Sequence, residues 1–166
     1  YAERWKDYLW MEDQFYTYRT SFSKPDLAVG ERAFFISKGI DYQFRIFLNG
    51  AELLSQEGMF TPVSLDLTDL LKENNELKIL VYPVPKLHPK PVDRSQAANV
   101  AKPAVSYGWD WHPRLVPLGI WDDTYLEIQT SDFINDIHVH YILNEKLTNA
   151  EIKLEITGRN LKDLPF

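Results

Sequence analysis

Apolar residues recur at every second position over most of this chain, and a period of two admits strands while excluding amphipathic helices. In the run Tyr42-Gln43-Phe44-Arg45-Ile46-Phe47-Leu48, one face carries Tyr42, Phe44, Ile46 and Leu48 while Gln43 and Arg45 point the other way. That is the pattern of a strand with one side in a core and one in water. Leu77-Lys78-Ile79-Leu80-Val81 repeats it at the odd positions, with Leu80 as the interruption. Asn49-Gly50 follows the first run and supplies the positive φ values that a tight hairpin demands. The spacing predicts strands at Tyr16 to Phe22, Arg32 to Ser37, Tyr42 to Leu48, Leu53 to Ser55, Val63 to Leu67, Glu76 to Tyr82 and Asp123 to Gln129. One helical turn is expected at Thr68 to Glu73, capped by Asp66 or Thr68, with Leu70 and Leu71 over the end of the sandwich. The fold class is all-β.

The pattern breaks between Pro83 and Pro117, where seven of the ten prolines lie. Proline cannot donate to a ladder, so these 35 residues read as a long irregular excursion rather than as central strands. Excursions of that length in compact domains are usually functional or disordered. The segment Tyr107-Gly108-Trp109-Asp110-Trp111 is too apolar and aromatic for a disordered linker. After Thr130-Ser131-Asp132 the alternation resumes. Ile137, Val139 and Tyr141 oppose Asp136, His138 and His140; Ile152, Leu154 and Ile156 oppose Glu151, Lys153 and Glu155; Asn144 to Asn149 joins the two runs as a hairpin. Some 35 residues cannot bury a core alone, since an immunoglobulin-like sandwich needs roughly 100. The reading is a first domain over 1–130 and the start of a truncated second one over 131–166. The latter is expected to be disordered, swapped between chains or associated into homo-oligomers.

With 166 residues the chain is too short for a (β/α)₈ barrel, which needs about 200. A net charge of -6 removes the basic footprint that phosphate-backbone binding requires, so nucleic acid is not an expected partner. The chain is 45% hydrophobic and 25% charged, which argues against a membrane span and a disordered tail. Zero cysteines exclude disulfides, thiolate metal sites and cysteine nucleophiles. Compartment is left open by this, with a periplasmic or secreted bacterial location favoured. A start at Tyr1 without a basic-then-apolar leader reads as a fragment or processed chain. Aromatic residues make up 14% of the chain. Such side chains fill sandwich cores and also stack on the apolar face of sugar rings. Trp5 and Trp10, on a segment with no clear period, are expected to cover the sandwich.

Three stretches carry a resemblance. Lys38-Gly39-Ile40-Asp41-Tyr42-Gln43-Phe44-Arg45-Ile46-Phe47-Leu48-Asn49-Gly50 is one, and Glu57-Gly58-Met59-Phe60-Thr61-Pro62 with Asp66-Leu67-Thr68-Asp69-Leu70-Leu71 and Asn75-Glu76-Leu77 is the second. Third is Tyr107-Gly108-Trp109-Asp110-Trp111-His112-Pro113-Arg114-Leu115 with Gly119-Ile120-Trp121 and Tyr125-Leu126. In order and spacing these resemble the N-terminal sugar-binding domain of glycoside hydrolase family 2. The third, with the upstream Asp13-Gln14-Phe15-Tyr16-Thr17-Tyr18-Arg19, is similar to the β-mannosidase branch. His112 stands where that branch usually has glycine, and Ala101 and Ala104 replace common Arg and Gln, while Lys102 is retained.

The resemblance, which spans residues 4 to 130, implies a jelly-roll, galactose-binding-domain-like β-sandwich followed by the first strands of an immunoglobulin-like β-sandwich. It also implies a retaining exo-glycosidase as parent, whose two catalytic glutamates sit about 5 to 5.5 Å apart in a barrel domain elsewhere in the full-length chain. Glu52, Glu57, Glu73 and Glu76 match neither catalytic motif, so this chain is expected to have no catalytic residue, no cofactor and no activity alone. The expected partners are that barrel and a β-linked mannoside or related glycan. Trp109 would wall the terminal-sugar subsite and Asp110 would accept hydrogen bonds from hydroxyls. Trp111 is divided between that role and packing, and Arg114 would pair with Asp110 or with a barrel carboxylate. His138 and His140 share a strand face at a spacing compatible with zinc, but no third ligand is near, so no metal is expected. The alternatives are a stand-alone carbohydrate-binding module and an interdomain scaffold without sugar contact.

Overall fold

A computed structural model describes residues 3–86 and 94–161. The chain forms two compact units: Tyr1–Pro25 with Phe34–Glu127, and Asp26–Ala33 with Ile128–Phe166. Its strands are β1 (Tyr16–Ser23), β2 (Arg32–Ser37), β3 (Ile40–Asp41), β4 (Gln43–Leu48), β5 (Ala51–Glu57), β6 (Val63–Asp66), β7 (Asn74–Val81), β8 (Gly119–Ile120), β9 (Thr124–Gln129), β10 (Phe133–Leu143) and β11 (Ala150–Arg159). The only helices among the described residues are short 3₁₀ segments, so the all-β reading holds.

In the first unit, a four-stranded antiparallel sheet runs in the order β1-β7-β4-β5 and a three-stranded sheet in the order β6-β2-β9. Tyr42, Phe44, Ile46 and Leu48 are buried together with Leu77, Ile79 and Val81, so the alternating positions of β4 and β7 face the core. Asn49 and Gly50 take φ of 52° and 84°, the left-handed pair that closes the β4–β5 hairpin. An apolar cleft of about 480 Å³ opens between the sheets, lined by Phe22, Phe35, Leu77, Ile79 and Leu126.

Several details differ from the periodicity. Residues 5–13 form a 3₁₀ segment (Trp5–Asp13). Trp5 is half-buried, but Trp10 is exposed, contrary to the covering role expected of it: its Nε1 donates to the Asp7 carbonyl of its own segment at 2.8 Å. The expected helical turn shortens to Thr68–Leu70. Asp66 Oδ1 accepts from the Thr68 backbone N–H at 3.0 Å and the hydroxyl at 2.6 Å; Leu71 is buried and Leu70 is exposed. The strand expected at Leu53 to Ser55 extends to Ala51–Glu57 because its residues continue the ladder with β4. β3 and β8 are two-residue strands paired with each other, below the length at which alternation is visible.

Proline does exclude long strands from the excursion, yet its described residues are ordered by packing of their own. Tyr42, Met59, Val84, Val100, Tyr107 and Val116 form a buried cluster, with Ala97 and Leu118 against it. The 3₁₀ turns Arg94–Asn99 and Ala104–Tyr107 carry the chain around that cluster. Of the excursion's prolines, Pro89 and Pro91 lie outside the described residues.

In the second unit, β10 and β11 form a two-stranded antiparallel ribbon. Ile137 pairs with Ile156, Val139 with Leu154 and Tyr141 with Ile152 on one face, while His138 pairs with Glu155 and His140 with Lys153 on the other. Asn144 Oδ1 ties the connecting loop by accepting from the Thr148 and Asn149 backbone N–H groups at 2.9 and 3.3 Å.

Candidate functional site

Trp109, Asp110 and Trp111 lie together at the tip of a two-residue turn. The Trp109 N–H donates to the His112 carbonyl at 2.8 Å and the His112 N–H returns the bond at 3.2 Å, so Asp110 and Trp111 are the loop residues between them. Gly108 enters the turn with φ of 102°, a conformation open chiefly to glycine. The stems are joined below, where the Leu115 N–H donates to the Ser106 carbonyl at 3.0 Å. Asp110 is exposed, and Trp109 and Trp111 are 46% and 74% exposed. The Trp111 ring meets His112 edge-on at 6.0 Å. Neither tryptophan is buried in the sandwich core.

Arg114 is on the returning stem and turns inward. Its Nη2 donates to Glu12 Oε1 at 3.0 Å, and its guanidinium lies 5.2 Å from the Tyr107 ring centroid. Glu12, only 5% exposed, closes the Trp5–Asp13 segment and also accepts from Lys86 Nζ at 2.9 Å. Lys86 pairs with Asp13 as well. Burial acts to lower the Lys86 pKa, but its hydrogen bonds to Asp13 and Glu12 and their charges hold it above the usual lysine value. Burial pushes the Tyr107 hydroxyl up to about 12, against the pull of Arg114. That hydroxyl has no hydrogen-bond partner among the described residues.

Two further ties anchor the excursion. Lys102 Nζ donates to the buried Asp41 carboxylate and, at 2.8 Å, to the Pro117 carbonyl, joining the Lys102 segment, β3 and the stem after the tip. Burial lowers the Lys102 pKa and raises that of Asp41. Trp121 packs directly over Gly39, where a Cβ would overlap the indole, and its Nε1 donates to the Met59 carbonyl at 3.0 Å. Thus the three sequence stretches that carry the resemblance meet in space.

Beside the tip lies a cleft of about 430 Å³ lined by Tyr8, Glu12, Tyr16, Tyr18, Ser106 and His112, among others. Tyrosine faces can stack on a sugar ring and their hydroxyls can bond to it. His138 and His140 sit in the second unit, with their rings stacked at 6.0 Å and carboxylates of Asp136 and Glu155 at 3.2 and 3.6 Å. Among the described residues no group of three or more His, Cys, Asp or Glu side chains is placed to hold a metal ion. The tip is legible in the sequence, whereas Glu12 is not. Nothing in the local pattern of residues 5–13 marks that carboxylate, since its partner Arg114 is 102 residues away.

A family model described as a glycosyl hydrolase 2 galactose-binding domain-like domain matches residues 1–122. The chain is 30% identical to the β-mannosidase B of Thermothelomyces thermophilus, over 93% of this chain and 19% of that one. It is 29% identical to the β-mannosidase of Mus musculus, over 89% of this chain and 19% of that one. The crystal structure of a β-D-mannosidase from Dictyoglomus thermophilum is similar with a TM-score of 0.72 and 26% identity, over 93% of this chain and 20% of that one. A β-glucuronidase from an uncultured Clostridium species shares the fold with a TM-score of 0.59 and 21% identity, over 86% of this chain and 24% of that one. The chain spans about a fifth of the length of the curated relatives it matches.

Proposed function

The chain belongs to the glycosyl hydrolase 2 galactose-binding domain-like family, and from that premise we propose that it is the non-catalytic N-terminal domain of a retaining exo-β-mannosidase. Its role is to support the catalytic barrel and to lend Trp109 and Asp110 to the terminal-sugar subsite. Residues 131–166 open a second, immunoglobulin-like sandwich in the same protein.

The observation that carries this reading is the placement of the tip. An aspartate and two tryptophans are presented outward on a two-residue turn, while beneath the turn its stems are hydrogen-bonded to each other, Tyr107 is buried and Arg114 is ion-paired with Glu12. A carboxylate in that position accepts hydroxyl hydrogen bonds, and an indole face covers the apolar side of a pyranose. Buried polar groups built for one hydroxyl arrangement reject an epimer, because they are left unpaired. The bond-breaking carboxylates come from the barrel.

In the full-length enzyme, Asp110→Ala lowers kcat/KM for p-nitrophenyl β-mannoside by roughly 100-fold, the size expected for a charged hydrogen bond to substrate, with thermal unfolding unchanged. Unaltered turnover would remove Asp110 from the subsite and leave the scaffold reading. Measurable calorimetric affinity of the 166-residue chain for manno-oligosaccharides would instead favour a self-sufficient binding module.

A further inference from the structure

We infer that Glu12 is a positioning residue for the sugar-facing tip, acting through Arg114; this rests on the subsite role of Asp110 proposed above. The inference comes from the way three chain segments converge on one carboxylate. Glu12 Oε1 accepts from Arg114 Nη2 at 3.0 Å and from Lys86 Nζ at 2.9 Å, and both cations are themselves largely out of solvent, each side chain 16% exposed. Arg114 follows the turn by two residues and spans from the returning stem to Tyr107 on the outgoing one. Glu12 therefore fixes the guanidinium that braces both stems of the turn.

The carboxylate supplies what a hydrophobic contact cannot, a fixed direction. The bond from Nη2 to Glu12 fixes where one end of the planar guanidinium sits, and its contact with the Tyr107 ring, at 5.2 Å from the centroid, limits how the plane can turn about that bond. The Trp109–His112 pairing ties the Asp110 backbone to the stems, so the orientation of the stems sets where the Asp110 side chain is projected from. Displacement of a substrate-positioning group by about 1 Å can lower turnover about 100-fold.

The test is a double-mutant cycle in the full-length enzyme, read as kcat/KM on an aryl β-mannoside. Glu12→Gln keeps the shape and removes the charge; it lowers kcat/KM about tenfold in the wild-type background and less than twofold in the Asp110→Ala background. Glu12→Asp recovers part of the loss. A tenfold loss in both backgrounds overturns the inference, since Glu12 would then act on the enzyme independently of the tip, and so does an absence of loss beside an impaired Asp110→Ala enzyme. Full turnover by Asp110→Ala itself overturns the subsite reading, and this inference with it. If Glu12→Gln does not accumulate as folded protein, Arg114→Lys, which keeps the cation and removes the planar guanidinium between Glu12 and Tyr107, is read in the same cycle with the same expected outcomes.

Discussion

Strands β4 and β10 are written in the same alternating code, with apolar residues on one face and polar ones on the other, and they meet different ends. Phe44 and Ile46 of β4 are fully buried, whereas Val139 and Tyr141 of β10 are 58% and 67% exposed. β4 lies between β7 and β5 and contributes to the core of the first unit. β10 has β11 as its sole ladder partner among the described residues, and the apolar face of that ribbon is largely open. Alternation thus states which face would leave water, not whether a second layer exists to receive it. A two-stranded ribbon is marginal alone, and three or more strands or a packed layer are needed for independent stability. In the proposed parent, the strands of the immunoglobulin-like sandwich provide that layer.

Denaturation of the 166-residue chain tests the contrast most severely. Phe44→Ala destabilises the first unit by about 3–5 kcal/mol, through lost transfer energy and an unfilled cavity, while Val139→Ala changes the unfolding free energy by no more than about 0.5 kcal/mol. Equal effects would mean that the ribbon face is covered in solution.

The same contrast exists in charges. Lys102 and Asp41 have side chains 0% and 3% exposed, whereas the His140–Glu155 pair, at 3.6 Å, is more than half exposed on both sides. Removing one partner of the buried pair by Lys102→Met destabilises by about 3–5 kcal/mol, because an uncompensated carboxylate is stranded. The double variant with Asp41→Asn restores most of the loss. His140→Gln changes stability by at most about 0.5 kcal/mol. Thermal unfolding of the four proteins at pH 7 measures this, and a double variant as unstable as the single one would refute the pairing argument.

A smaller effect is expected at alkaline pH. Burial raises the Tyr107 hydroxyl from 10.0 to about 12, so the unfolded chain ionises this residue first. The contribution is intact below pH 10 and is lost as pH rises toward 12. Tyr107→Phe removes that dependence, and the stability difference between wild type and variant should fall across the same window. A difference that stays flat from pH 9 to 12 would contradict the assignment.

Much of this was legible in the sequence, and the gaps have identifiable causes. The faces of β4 and β7 follow from period two, and the β4–β5 turn follows from Asn49-Gly50, because both depend on neighbours within a few residues. The Trp109-Asp110-Trp111 tip was visible as a motif, since two tryptophans around an aspartate in a proline-rich excursion have no ordinary strand role. The Trp5–Asp13 segment was not visible, because a 3₁₀ winding carries neither of the two periods that pattern reading detects. The sequence suggests Asp110 or a barrel carboxylate as the partner of Arg114, and the structure gives it Glu12. Ion pairs across so long a separation are fixed by tertiary packing, which no local spacing encodes.

The central claim is that the tip meets a sugar, and the most direct measurement is the structure of the full-length enzyme with a manno-configured inhibitor in its active site. The expected result is the Asp110 carboxylate within hydrogen-bonding distance of a hydroxyl of the terminal ring, with the Trp109 indole against that ring. A bound inhibitor with Asp110 and Trp109 turned to solvent, or packed only on protein, would contradict it.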